Sequence, residues 1–325
     1  MPYKLRDGLP SSKANTVELA DFIEFECLKK EDLTFATLDI IKTLNAGDDY
    51  QEDEVDEFNF LRDSMEEPRV DDAMNEIETR LSYCDAKYPF TIIENKVVYQ
   101  SVNPQTNIIY IFLLLATRLH MGGKNAEKVF SNLDGTLLFE HLCEVVLRNY
   151  WGKDAETCLF GTSAGNRFED KVAMLITGMK EGRGFKNLDA LSPTENDGSL
   201  DVAVWKSFTD GRQSKLIGFA QCKTGDTWRP EIGKLNPSRF TDTWFIDPPA
   251  LTPINTFMIS DVVRDYYIKT TMSLLFFDRC RIMDYLPTDI EESLLDNLST
   301  WVIDALSSYG IDHTNLNIEI PTSIH

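Results

Sequence analysis

Histidine is scarce: the 325-residue chain has four, none paired at a recognisable spacing, so neither a histidine-based hydrolase nor a histidine-rich metal site is expected. Its six cysteines (Cys27, Cys84, Cys143, Cys158, Cys222, Cys280) are scattered, with no CxxC and no histidine at zinc-finger spacing. Several fall inside apolar patterns, where thiols behave as small core residues. Reduced, zinc-free and cytoplasmic is the expectation. Long hydrophobic runs are missing as well. The longest, Ile108 to Ala116, is far short of the roughly 20 residues a membrane helix needs, and the opening MPYKLRDGLPSSKANT has no apolar signal-peptide core.

Positive charge is the other shortage, with 32 Lys and Arg against 53 Asp and Glu, a net charge of −21. A nucleic-acid binder is usually locally basic, and the chain as a whole does not suit phosphate. The distribution is less hostile. Between Ser163 and Phe240 twelve Lys and Arg face ten Asp and Glu. At the other extreme, five of the six residues from Glu52 to Glu57 are acidic. That run reads as a solvated loop or helix face, or as a partner-binding or DNA-mimicking, autoinhibitory segment. A hydrophobic content of 42% and an aromatic content of 11% are enough for a real core.

Hydrophobic spacing predicts amphipathic helices at Thr16–Lys30 (capped by Thr16), Asp32–Leu44 and Val70–Tyr83. A small hairpin at 90–100 turns at Glu94-Asn95, and a buried helix follows at Asn107–His120. Gly122-Gly123 is the expected boundary, with a mainly helical accessory domain over 1–123 and a second domain over 124–325. The second part reads as a helix from Gly135 stopped by Gly152, a strand at Thr157–Thr162 and a helix at Asn166–Met179. The strand pair 197–223 is next, then strands at 254–263 and 274–286 and a C-terminal helix at 289–308. Helix, strands, helix, strand is a mixed α/β layer arrangement.

The strand pair carries the chemistry. In KLIGFAQCK, Gln221 and Lys223 are two apart and share a face, at the end of a strand that is otherwise apolar on both sides. Burying a lone ammonium is costly unless an anion meets it, and Asp201 on the neighbouring strand is the nearest candidate. On the preceding helix Glu140 follows Phe139, with Glu144 one turn on. Two carboxylates and an amide oxygen, Glu140, Asp201 and Gln221, form a hard-oxygen set suited to Mg²⁺ or Mn²⁺. Lys223 would stabilise charge developing on a phosphate or help to orient or deprotonate water.

The order FE-x-L on a helix, D-x-x-x-D (Asp197, Asp201) at a strand start and Q-x-K in FAQCK resembles the PD-(D/E)XK nuclease superfamily, in particular its Mrr-like restriction endonuclease branch. The resemblance covers residues 135 to 265. It implies a restriction-endonuclease-like fold, a mixed central sheet flanked by helices, beside the mainly helical N-terminal domain. By the same resemblance Asp201 is the essential metal-binding aspartate, Gln221 and Lys223 are the Q-x-K pair, and Glu140 is the helix carboxylate. Glu144 stands as a rival to Glu140, and Asp197 as a backup to Asp201. The implied activity is Mg²⁺- or Mn²⁺-dependent endonucleolytic hydrolysis of DNA, in restriction or anti-phage defence. A protein partner or homo-oligomer would form through the N-terminal domain. RNA or structure-specific cleavage, and a non-catalytic interaction module, are the alternatives. Lys180, Arg183 and Lys186 in a glycine-rich loop, and Trp228 and Arg229 after the Q-x-K strand, are the candidate substrate contacts.

Overall fold

A computed structural model describes residues 3–46, 57–84, 86–119, 121, 127–160, 168–186, 199–264 and 273–319. Gly122-Gly123, Asp197 and most of the acidic run lie outside them. The chain divides into two compact units, Met1–Leu133 with Leu295–His325, and Asp134–Leu294. The division thus falls ten residues beyond the glycine pair, and most of the C-terminal helix, expected with the second domain, goes with the first.

In the first unit, α1 (Thr16–Leu28) is capped by Asn15, whose side chain accepts the Glu18 N–H at 2.9 Å, and not by Thr16. The predicted helix at 32–44 is split: Thr34–Ala36 forms β1, and α2 is Thr37–Ala46. The short Thr-Phe-Ala segment is drawn into a sheet because Phe35 pairs with Val97, a partner that local periodicity does not reveal. α3 is Glu57–Tyr83, while β2 (Phe90–Ile93) and β3 (Lys96–Tyr99) form the expected hairpin. Its turn residues Glu94 and Asn95 both have positive φ, 48° and 60°, as a two-residue turn matching strand twist requires. α4 (Pro104–Arg118) is buried along its apolar run. Beneath it lies a charged cluster. Arg80 contacts Asp21 and Glu24 at 2.6 Å and Glu76 at 3.2 Å, and Arg118 contacts Asp21 at 2.6 Å. A short ladder, β4 (Val129–Phe130) and β5 (Leu133–Asp134), leads to the second unit.

There a five-stranded mixed sheet is ordered β10-β9-β8-β7-β6, from β6 (Ala155–Leu159), β7 (Val202–Lys206), β8 (Ile217–Lys223), β9 (Ile254–Ile259) and β10 (Leu275–Phe277). β6, β7 and β8 pair antiparallel, and β8, β9 and β10 parallel. One edge therefore collects the ends of β6, β8, β9 and β10 with the start of β7. The strand predicted for 274–286 stops at Phe277, because Asp278 accepts the Arg281 N–H (3.1 Å) and caps α8 (Arg279–Asp284). α9 is Glu292–Ser308. All six cysteines are free thiols.

Helix α5 (Gly135–Trp151) packs on one face of the sheet. On the other face α6 (Phe168–Met179) and α7 (Pro237–Trp244) enclose Phe219, Ala203 and Trp205. α5 lies close because β8 has no side chain at Gly218, where a Cβ would stand 2.6 Å from the Trp151 ring. Gly218→Ala should therefore destabilise the protein by about 1–3 kcal/mol through overpacking. Urea unfolding checks this, and an unchanged midpoint would mean that α5 can move away freely.

Candidate functional site

Trp151 over Gly218 fixes what lies above the far end of β8. From Trp151 back to Glu140 a helix spans about 16 Å, and from Gly218 to Lys223 a strand spans about 16 Å. The two run in opposite directions, so Glu140 reaches the strand end where Lys223 sits. Cys143, between them on α5, accordingly meets Cys222.

Asp201 arrives at the same edge from β7. Its N–H donates to the Ala220 carbonyl at 2.9 Å, although Val202 is the residue paired with Ala220. Two residues thus oppose one, as in a β-bulge. Leu200 consequently packs in the same cluster as Ala203 and Trp205, breaking the alternation and turning Asp201 toward the α5 side. There its carboxylate Oδ2 accepts the backbone N–H of Cys222, the residue between Gln221 and Lys223, at 2.7 Å. The anticipated meeting of Asp201 with the Lys223 ammonium is replaced by this backbone bond. The Lys223 ammonium makes no hydrogen bond or ion pair among the described residues.

Gln221 is fully buried, and neither end of its amide has a hydrogen-bond partner among the described residues. Glu140 Oε2 is in the same condition. Each such group costs about 1–3 kcal/mol when left unsatisfied. Burial pushes the Glu140 carboxyl up to about 8, and the Asp201 carboxylate adds to the rise while the Lys223 ammonium opposes it. The three groups are therefore in electrostatic contact. Glu144 is spent elsewhere: its Oε1 accepts from Thr157 (2.7 Å) and Arg148 (3.0 Å). The helix carboxylate of this edge is Glu140.

The loop after the Q-x-K strand is tied down by β9. Ser260 donates its N–H to the Lys223 carbonyl (3.3 Å), its Oγ accepts the Gly225 N–H (3.2 Å), and its carbonyl accepts from Arg279 (3.0 Å). Trp228 is 1% exposed and donates its indole N–H to Asp261 at 2.9 Å. It anchors this loop and offers no open stacking face. The Arg229 guanidinium covers its ring at 4.5 Å and is itself exposed.

The glycine-rich basic loop lies elsewhere. Its Glu181 carboxylate accepts the N–H groups of Lys215 (3.2 Å) and Ala250 (2.9 Å), which precede β8 and β9. Lys180, Arg183 and Lys186 thus belong to the edge opposite Lys223. Arg183 pairs there with Asp247 at 2.9 Å, and Lys186 donates to the Asp242 carbonyl at 3.2 Å. One cation at the Lys223 edge escapes sequence reading: Lys171, whose ammonium donates to the Phe160 carbonyl at 3.3 Å. It sits in the first turn of an ordinary amphipathic helix, and only the folded chain places it.

Among the described residues, no group of three or more His, Cys, Asp and Glu is placed to hold a metal ion, and no helix is long and apolar enough to cross a membrane. No family model, no curated protein and no solved structure matches the chain.

Proposed function

We propose that the Asp134–Leu294 unit is a metal-dependent endonuclease of restriction-endonuclease-like fold that hydrolyses DNA phosphodiester bonds. The observation that carries this reading is the unspent polarity at one sheet edge. Among the described residues Glu140 Oε2 and both ends of the Gln221 amide lack hydrogen-bond partners, at the edge that also holds Asp201 and Lys223. Buried polar groups are normally paired with protein or with bound water. A substrate site leaves them for a ligand.

The donor set fits a hard divalent cation, Mg²⁺ or Mn²⁺, through the oxygens of Asp201, Glu140 and Gln221. With one neutral amide and a carboxyl that is half-protonated at about pH 8, the set is light in charge, and a substrate phosphate would complete it. Held there, such an ion would supply Lewis-acid polarisation of a phosphoryl oxygen and a water of lowered pKa. The protein's own contribution is positional and electrostatic. The Cys222 N–H holds the Asp201 carboxylate at a fixed angle. Lys223, whose ammonium is uncommitted among the described residues, would meet the charge that grows on phosphorus oxygens as the nucleophile enters. α5 and the tied Ser260 loop keep both in place without reorganisation. The Mrr-like pattern favours a role in restriction or anti-phage defence in the cytoplasm, with the first unit as the regulatory, partner-binding or oligomerising part.

Plasmid DNA, linear DNA and RNA incubated with Mg²⁺, Mn²⁺ or EDTA test the reading. Cutting of both DNAs, lost in EDTA and restored by either ion, is expected. RNA cleavage alone would change the substrate, and no cleavage of any nucleic acid would leave a non-catalytic interaction module.

A further inference from the structure

Lys215 precedes β8 at the edge opposite Lys223, about 26 Å of strand away from it. Its side chain is fully buried, and its ammonium has no hydrogen-bond or ion-pair partner among the described residues. Such a group is costly to enclose, because water is stripped from it and no anion is returned. The neighbouring carboxylates are already spent. Glu181 accepts two backbone N–H groups, those of Lys215 (3.2 Å) and Ala250 (2.9 Å). Asp210, in the turn between β7 and β8, feels the Lys215 charge, but it is exposed and pairs with Arg212 at 2.7 Å.

A second buried donor lies beside this ammonium. The Trp205 indole N–H is closed to solvent and also has no acceptor among the described residues. Trp205 pairs with Ile217, so Lys215, two residues before Ile217, is its diagonal neighbour on the next strand. Side chains so related share a face about 7–8 Å apart, within reach of long and aromatic groups. Gly178 of α6 lets the indole lie there, since a Cβ at that position would stand 3.0 Å from the ring.

Two donors without an acceptor on one face call for a group with negative charge and several lone pairs. Both are enclosed, so a phosphate of a polynucleotide lying on the surface does not reach them. Entry needs a local opening, which admits a small ion and not a duplex. We propose that Lys215 and Trp205 bind a small oxyanion, phosphate or carboxylate, free or as the end group of a small molecule. This site is separate from the Asp201–Lys223 edge and does not depend on the nuclease reading.

Thermal unfolding in EDTA tests the site, with sodium phosphate or sodium acetate compared with sodium chloride at equal ionic strength. One oxyanion or both should raise the wild-type midpoint saturably, by about 3 °C at ten times the Kd. The tighter of the two distinguishes a phosphate ligand from a carboxylate. Lys215→Met keeps the length of the side chain and loses its charge. It should abolish the rise, yet melt no lower than wild type in chloride, because an unpaired buried charge has gone. Trp205→Phe keeps a ring and loses the N–H, and should weaken binding about threefold. Lys223→Ala should keep the full rise. No saturable rise in wild type with either anion, or a rise that persists in Lys215→Met, would overturn the proposal. A rise lost in Lys223→Ala would place the anion at the other edge and overturn it too. So would a Lys215→Met protein that melts lower than wild type in chloride, since Lys215 would then be a structural cation with a partner.

Discussion

Lys223→Ala should cut turnover by about 10²–10³-fold while leaving Mn²⁺ affinity undiminished. The two readouts separate because the ammonium is no metal ligand. It repels a cation and attracts the negative charge of a pentacoordinate phosphorus, and a single preorganised electrostatic donor of this kind is worth about 3–4 kcal/mol in the transition state. Its loss leaves no stranded partner, since the ammonium makes no ion pair among the described residues. Folding should therefore be preserved. Asp201→Asn should behave differently, losing metal affinity together with turnover, because on the proposed reading its carboxylate would be a metal ligand as well as the group that the Cys222 N–H orients. Turnover measured on plasmid DNA, with Mn²⁺ binding followed by electron paramagnetic resonance, distinguishes the two. Full activity in Lys223→Ala would remove the lysine from the chemistry.

Glu140→Gln should do two opposite things: abolish most of the cleavage and stabilise the metal-free protein at alkaline pH. The sign follows from linkage. Burial raises the Glu140 carboxyl to about 8 in the folded protein, above its ordinary value of 4.5, so between these values the native state holds a proton that the unfolded state has lost. Stability contributed by the neutral carboxyl is present in full below about pH 4.5. It declines as pH rises and is gone above about pH 8. One pH unit is worth ~1.4 kcal/mol, and even half of the rise amounts to about 2 kcal/mol. An amide cannot ionise and escapes this loss. The variant should melt about 5 °C higher than wild type at pH 8.5, with little difference at pH 4.5. Scanning calorimetry at the two pH values in EDTA reads the effect. A variant less stable than wild type at pH 8.5 would mean that Glu140 is a structural carboxylate with a partner. The combination of lost function and gained stability is what a functional group held in an unfavourable place should give.

The features that build this edge act over different ranges of the chain. Residue order and period belong to the sequence: the strand IGFAQCK apolar on both sides, the 3–4 spacing of Leu138, Leu142 and Val146, the turn at Glu94-Asn95 and the helix stop at Gly152. Such features are local, because period and turn chemistry act within a few residues. From them came the α/β layering, the strand pair and the candidate set Glu140, Asp201, Gln221 and Lys223. Ends and partners of elements were less accessible. Leu274–Leu286 has the pattern of one strand, but Asp278 caps a helix in its middle, and Asp32–Leu44 has the pattern of one helix, but Phe35 pairs with Val97.

The choice between carboxylates belonged to the tertiary structure alone. Glu140 and Glu144 are equivalent in the sequence, one turn apart on one flank. Trp151 resting in the gap at Gly218 sets the position of α5, which leaves Glu140 at the edge and gives Glu144 to Arg148 and Thr157. The same geometry sends Lys180, Arg183 and Lys186 to the opposite edge and brings Lys171 to this one. Contacts between segments far apart in the chain likewise put most of the C-terminal helix in the first unit. Charge by itself carries no address: a lysine's place is decided by which strand end its backbone happens to cross, and that depends on pairings between segments far apart in the chain.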